Sequence, residues 1–77
     1  MTDHKEVQAA LNLLVGSSCL VKRKEHGDLR GRISGIAVEC IVENLEQSID
    51  LTIFKVDLGF GDIRELAGSE LSFNKKG

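Results

Sequence analysis

Seventy-seven residues with a formal net charge of −2, two cysteines and no proline make one domain and exclude several classes. Two cysteines are too few for a disulfide framework, no Cys/His cluster has zinc-ligand spacing, and no apolar run approaches the ~18 residues of a membrane span. The N-terminus lacks the apolar stretch of a signal peptide, so the expectation is a reduced, soluble, cytoplasmic protein with no metal and no cofactor.

A helix is expected over residues 4–14. Asp3 is a suitable N-cap with Glu6 three residues on, as in a capping box. Val7, Ala10, Leu11 and Leu14 repeat at the spacing of one apolar helix face, and Gly16 supplies the stop. A helix this short is marginal alone and must pack on a sheet. The pattern then turns to strand. Ser18 to Glu25 is the first, His26-Gly27-Asp28 a turn, and Leu29 to Glu43 a long second strand. Its inward parity runs Leu29, Gly31, Ile33, then switches past Gly35 to Ile36, Val38, Cys40, Val42. A switch beside a glycine predicts a bulge or sharp bend. Ile49, Leu51 and Ile53, followed by Phe54, Val56 and Leu58, read as a third strand with its own switch. Asp62 to Leu66 and Leu71 to Phe73 are short fourth and fifth strands. The expected architecture is mainly β: one domain over residues 1–77, with a helix at about 4–14, a strongly bent five-stranded small barrel at about 18–73 and a loose tail at 74–77. Such a small domain buries only about 60% of its unfolded surface, which leaves self-association as the open route to added stability.

Charge is unevenly spread. Lys22, Arg23, Lys24, Arg30 and Arg32 crowd the first hairpin, whereas Glu39, Glu43, Glu46 and Asp50 follow with no basic residue among them. These are either two solvated strand faces, or complementary surfaces of a subunit contact, or a basic face for phosphates.

Glycines at Gly16, Gly27, Gly31 and Gly35-Ile36, with Leu20, Val21, Leu29 and Ile33 between them, and the later segment Leu66-Ala67-Gly68-Ser69-Glu70-Leu71-Ser72-Phe73, resemble the two motifs of the Sm/LSm family of small β-barrels. The first motif falls within residues 11–45, and residues 46–65 are a variable connection. A generic SH3-like or KOW-type barrel would share Gly27, Gly31 and Ile33. The resemblance implies a homo-oligomeric ring of about five to seven subunits. In it the fourth strand of one subunit pairs with the fifth of the next, which assigns the contact to Asp62, Ile63, Arg64, Glu65 and Leu66 on one side and Leu71, Ser72 and Phe73 on the other. It also implies a uridine pocket, but the matching positions carry Ala37, Glu39, Ile41 and Ala67 in place of an aspartate, a stacking ring, an asparagine and an arginine. That pocket is degenerate. Any single-stranded RNA would then be held weakly and in a salt-sensitive way by Lys22, Arg23, Lys24, Arg30 and Arg32.

No catalytic constellation is legible. His4 and His26 read as solvated residues without a nucleophile beside them, and Cys19 and Cys40 read as buried small apolar residues. Asp57, Asp62, Glu65 and Glu70 have no spacing that singles out an acid–base pair. Gly59-Phe60-Gly61 lacks the lysine and following helix of a phosphate loop. It reads as a hairpin tip whose Phe60 is available to a partner. The expected function is non-enzymatic: a ring-forming scaffold in RNA metabolism, or a ring or SH3-like adaptor that binds only protein.

Overall fold

The computed structural model describes residues 4–23 and 27–73; Asp3, Lys24, Glu25, His26 and the tail at 74–77 lie outside the described residues. Helix α1 spans His4–Leu13, and strands β1 and β2 span Ser18–Val21 and Leu29–Val38. Helix α2 follows at Leu45–Leu51, then β3 at Ile53–Asp57, β4 at Ile63–Ala67, a 3-10 turn at Gly68–Glu70, and β5 at Leu71–Phe73. Among the described residues, no helix is long and apolar enough to cross a membrane.

The periodicity of α1 translates directly into packing. Val7 and Leu11 are buried, and Ala10 and Leu14 are half-buried on the same face. Burying a residue such as Leu11 contributes about 2 kcal/mol, more than the helix could gain from propensity alone. Gly16, with φ of +92°, ends the helical stretch. Its N–H donates to the Ile33 carbonyl at 2.6 Å, and the Ile33 N–H donates to the Ser17 carbonyl at 2.9 Å, so the helix exit is fastened to β2. Val7 and Leu11 close over a core of Cys19, Val21, Ile33, Phe54, Val56 and Leu71 drawn from β1, β2, β3 and β5. Phe54 and Phe73 meet edge to face with ring centroids 5.7 Å apart.

The five strands form one antiparallel sheet in the order β4-β3-β2-β1-β5. It is not closed into a barrel: β4 and β5 stand at opposite edges. The sheet nonetheless curls, since Phe54 of β3 meets Phe73 of β5 across the two strands between them. β2 ends at Val38 rather than Glu43, and the stretch expected to begin the third strand is helix α2 instead. β1 likewise ends at Val21 rather than Glu25, where the Lys22 N–H turns to the Glu70 carbonyl at 3.1 Å. The bend in β2 is present, as register shifts against β3 on both sides of Gly35-Ile36. Its outward consequence differs from the expectation, since Val38 is exposed.

Two glycines adjoin the neighbouring strand differently. A Cβ on Gly31 would sit 2.7 Å from Val56 Cγ1, so this strand can lie where it does only without a side chain there. At Gly35 a Cβ would meet only Lys55 Cδ at 3.9 Å, so crowding does not explain that glycine.

Helix α2 forms because Asn44 caps it, accepting the Gln47 N–H on its side chain at 2.7 Å, and because Ser48 and Thr52 are satisfied by the adjoining segment. Thr52 Oγ1 accepts the Cys40 N–H at 3.1 Å and donates to the Cys40 carbonyl at 3.2 Å. Ser48 Oγ accepts the Val42 N–H at 2.9 Å and lies 3.3 Å from the Val42 carbonyl and 2.9 Å from that of Asn44. Both side chains are fully buried. These hydroxyls give residues 40 and 42 the hydrogen bonds a neighbouring strand would have supplied.

Candidate functional site

Alternation on β2 puts Arg30 and Arg32 on one exposed face, with Gly31 and Ile33 buried behind them. Opposite them on β1 stand Leu20 and Ser18 respectively. Leu20 pairs in turn with Ser72 of β5. Ser18, Cys19, Leu20, Arg30, Ser72 and Phe73 line a surface concavity of about 410 Å³. A second, of about 320 Å³, is lined by Ser18, Arg30, Gly31, Arg32, Asp57, Leu58 and Gly59. Arg30 and Ser18 belong to both, so the two adjoin as one trough.

Neither Arg30 nor Arg32 is held in an ion pair among the described residues; the pair found there is Arg64 with Asp62 at 3.4 Å, exposed and worth little. Asp57 stands across the ladder from Arg32, but its Oδ1 accepts the Gly59 N–H at 2.8 Å. The trough therefore presents two guanidinium groups and serine hydroxyls, with the Asp57 carboxylate across the ladder from Arg32. The guanidinium and hydroxyl donors suit phosphate oxygens.

The remaining basic residues of the hairpin are dispersed. Lys22 is exposed two residues beyond Leu20. Arg23 is exposed but turned back, its Nε donating to the Gly27 carbonyl at 3.3 Å and bracing the turn where Gly27 has φ of +74°. Lys24 lies outside the described residues. The sequence missed Ser18, Leu20 and Ser72 as lining residues, although the outward parity of Ser18, Leu20 and Lys22 was the available signal.

The four substituted positions do not gather into either concavity. Ala37 is half-buried near the end of β2, and Ile41 packs against the core. Glu39 is exposed, its Oε1 accepting from Gln8 of α1 at 3.4 Å. Ala67 pairs with Ile53 at the end of β4. Gly68 beside it is buried, and a Cβ there would collide with the Ile49 carbonyl. Its N–H donates to the Thr52 carbonyl at 3.0 Å, which makes this glycine the contact point between α2 and the edge of the sheet.

Of the residues assigned to a subunit contact, Ile63 to Leu66 lie on edge strand β4 and Leu71 to Phe73 on edge strand β5. Ile63, Arg64 and Glu65 are exposed, whereas Leu71 is a core residue and Ser72 and Phe73 are half-buried. Asp62 precedes the strand and closes the hairpin, its N–H on the Gly59 carbonyl and its own carbonyl accepting from Leu58.

Cys19 is a free, buried core thiol, and burial pushes its pKa up; Cys40 is free and half-buried. His4 is exposed, and His26 lies outside the described residues. Among the described residues, no three His, Cys, Asp or Glu side chains group to hold a metal ion. No family model, no curated protein and no solved structure matches the chain.

Proposed function

We propose that this chain is a non-enzymatic binding module of the Sm-like small-barrel type, whose copies join edge to edge and whose trough carries single-stranded RNA by its phosphates. The observation that supports this best is the strand order. It leaves β4 and β5 as the two edges of one sheet, the complementary pair that a head-to-tail ring of identical copies needs. Ile63, about half exposed on β4, is an apolar side chain that such a contact would cover. The trough of Arg30 and Arg32 supports the RNA half, with Lys22 exposed two residues beyond Leu20. The substitutions at Ala37, Glu39, Ile41 and Ala67 favour a second reading, a ring that binds protein alone.

Native mass spectrometry of protein purified without nuclease tests both halves. A closed multiple with extra mass that nuclease removes is the expected result. Ile63→Lys places a charge on the edge strand and should reduce the multiple to monomer without unfolding it. Lys22, Arg30 and Arg32 together predict a slope of roughly −2 for log affinity against log salt on a single strand. A clean multiple without nucleic acid turns the reading to protein binding; a wild-type monomer removes the ring.

A further inference from the structure

We propose that Phe60, at the β3–β4 tip, is a stacking platform for a base of the single-stranded RNA whose phosphates lie along Arg30 and Arg32. The proposal rests on the RNA reading of the trough and adds to it the aromatic contact that the substituted uridine positions lack.

Phe60 is fully exposed, and its backbone is left-handed at φ of +54° between Gly59 at +99° and Gly61 at +78°. Glycine accepts that region freely, but a bulky L residue there is a marked exception. The tip is not loose. The Gly59 N–H donates to Asp57 Oδ1 at 2.8 Å, the Asp62 N–H to the Gly59 carbonyl at 3.0 Å, and the Leu58 N–H to the Asp62 carbonyl at 2.8 Å. An unfavourable backbone angle and an unburied ring are thus held in place by a hydrogen-bonded frame. Strain retained in such a frame points to a use for the side chain it displays.

The location says which use. Asp57, Leu58 and Gly59 line the same concavity as Arg30 and Arg32, so Phe60 follows directly in the chain on residues that line the basic trough. The choice of ring is also forced. The chain has no Trp, no Tyr and three Phe; Phe54 is buried, and Phe73, half-buried at the other end of the trough, has its ring packed edge to face on Phe54. Phe60 is the aromatic ring whose faces are open to solvent. Stacking is tolerant of sequence because every base has a π-face, which suits a site without base-edge donors.

Because the chain has no Trp, Phe60→Trp introduces a single indole. Binding of a mixed-sequence single-stranded RNA 12-mer and of heparin, a polyanion without bases, would be measured by anisotropy and competition for wild type, Phe60→Trp, Phe60→Ala and the double variant Arg30→Glu/Arg32→Glu. Thermal midpoints check folding. Phe60→Ala should weaken RNA binding roughly tenfold and leave heparin binding unchanged. Phe60→Trp should retain affinity, with indole emission quenched by RNA but not by heparin. If the double variant loses RNA while Phe60→Ala keeps wild-type affinity, the trough reading survives and the stacking assignment is overturned. Equal losses on RNA and heparin overturn it too, as does an indole shift that follows protein concentration without RNA. A wild type that binds no RNA overturns both readings together.

Discussion

The corner where α2 meets the end of β4 and the tip where β3 turns into β4 use costly residues in opposite ways. At the corner, two buried hydroxyls and a buried glycine are consumed in holding the fold: the Ser48 and Thr52 hydroxyls bond to backbone of the segment at 40–44, and Gly68 lies flush against the Ile49 carbonyl. At the tip, a strained backbone holds up a ring that touches nothing in the core. One region spends polarity on closure; the other accepts strain without any packing in return. The difference teaches where to look for function, because residues that harm the fold without helping it point to another purpose.

Substitutions can break that contrast. The largest effect should come from Gly68→Ala. Its methyl group meets backbone rather than a movable side chain, so the loss should exceed about 4 kcal/mol and approach the whole stability of a small domain. Circular dichroism should find no cooperative transition. Next, Thr52→Val keeps the shape but strands the Cys40 N–H and carbonyl, for an expected loss of about 1–3 kcal/mol in urea unfolding. Thr52→Ser should restore most of it, and a neutral Thr52→Val would show that the corner is not held by its hydroxyls. At the tip the sign should reverse: Phe60→Asn suits the left-handed angle and should stabilise by about 1 kcal/mol. If it destabilises, Phe60 supports the fold and the contrast disappears. The smallest effect belongs to Cys19. Its raised pKa means that folding favours the neutral thiol, so this contribution is intact below the ordinary thiol pKa and is lost as pH rises from there through the folded value. A Cys19→Ala variant should show a shallower alkaline decline.

What was legible in the sequence was the part written in a single periodicity. Val7 and Leu11 on α1, the inward parity of Gly31 and Ile33, and the face shared by Phe54 and Val56 all packed as their spacing implies. Residues 45–53 misled because Ile49, Leu51 and Ile53 alternate like a strand, yet Leu51 is exposed and Ile49 sits on a helix. The competing signal was Asn44 followed three residues later by Gln47, a helix start in which the cap outweighed the alternation. Ser48 read as a connecting residue and Thr52 as part of a strand, because sequence cannot show that a hydroxyl will be buried against backbone. The arginines of the trough were visible as charge, but their companions Ser18 and Ser72 come from strands that only the pairing brings together.

That pairing carries a kinetic consequence. β1 to β4 are neighbours in sequence and can zip together as hairpins, with α2 folded within the β2–β3 connection. β5 instead joins β1 through only three residue pairs, about fifty positions apart in the chain. Closing that long loop demands the most chain entropy for the fewest bonds, so β5 should dock last during folding and detach first under stress. Until it docks, β1 has an open side that fits the β5 of any other copy as well as its own. Folding within one chain and exchange between chains thus compete for β5, and refolding at high concentration should favour the exchange.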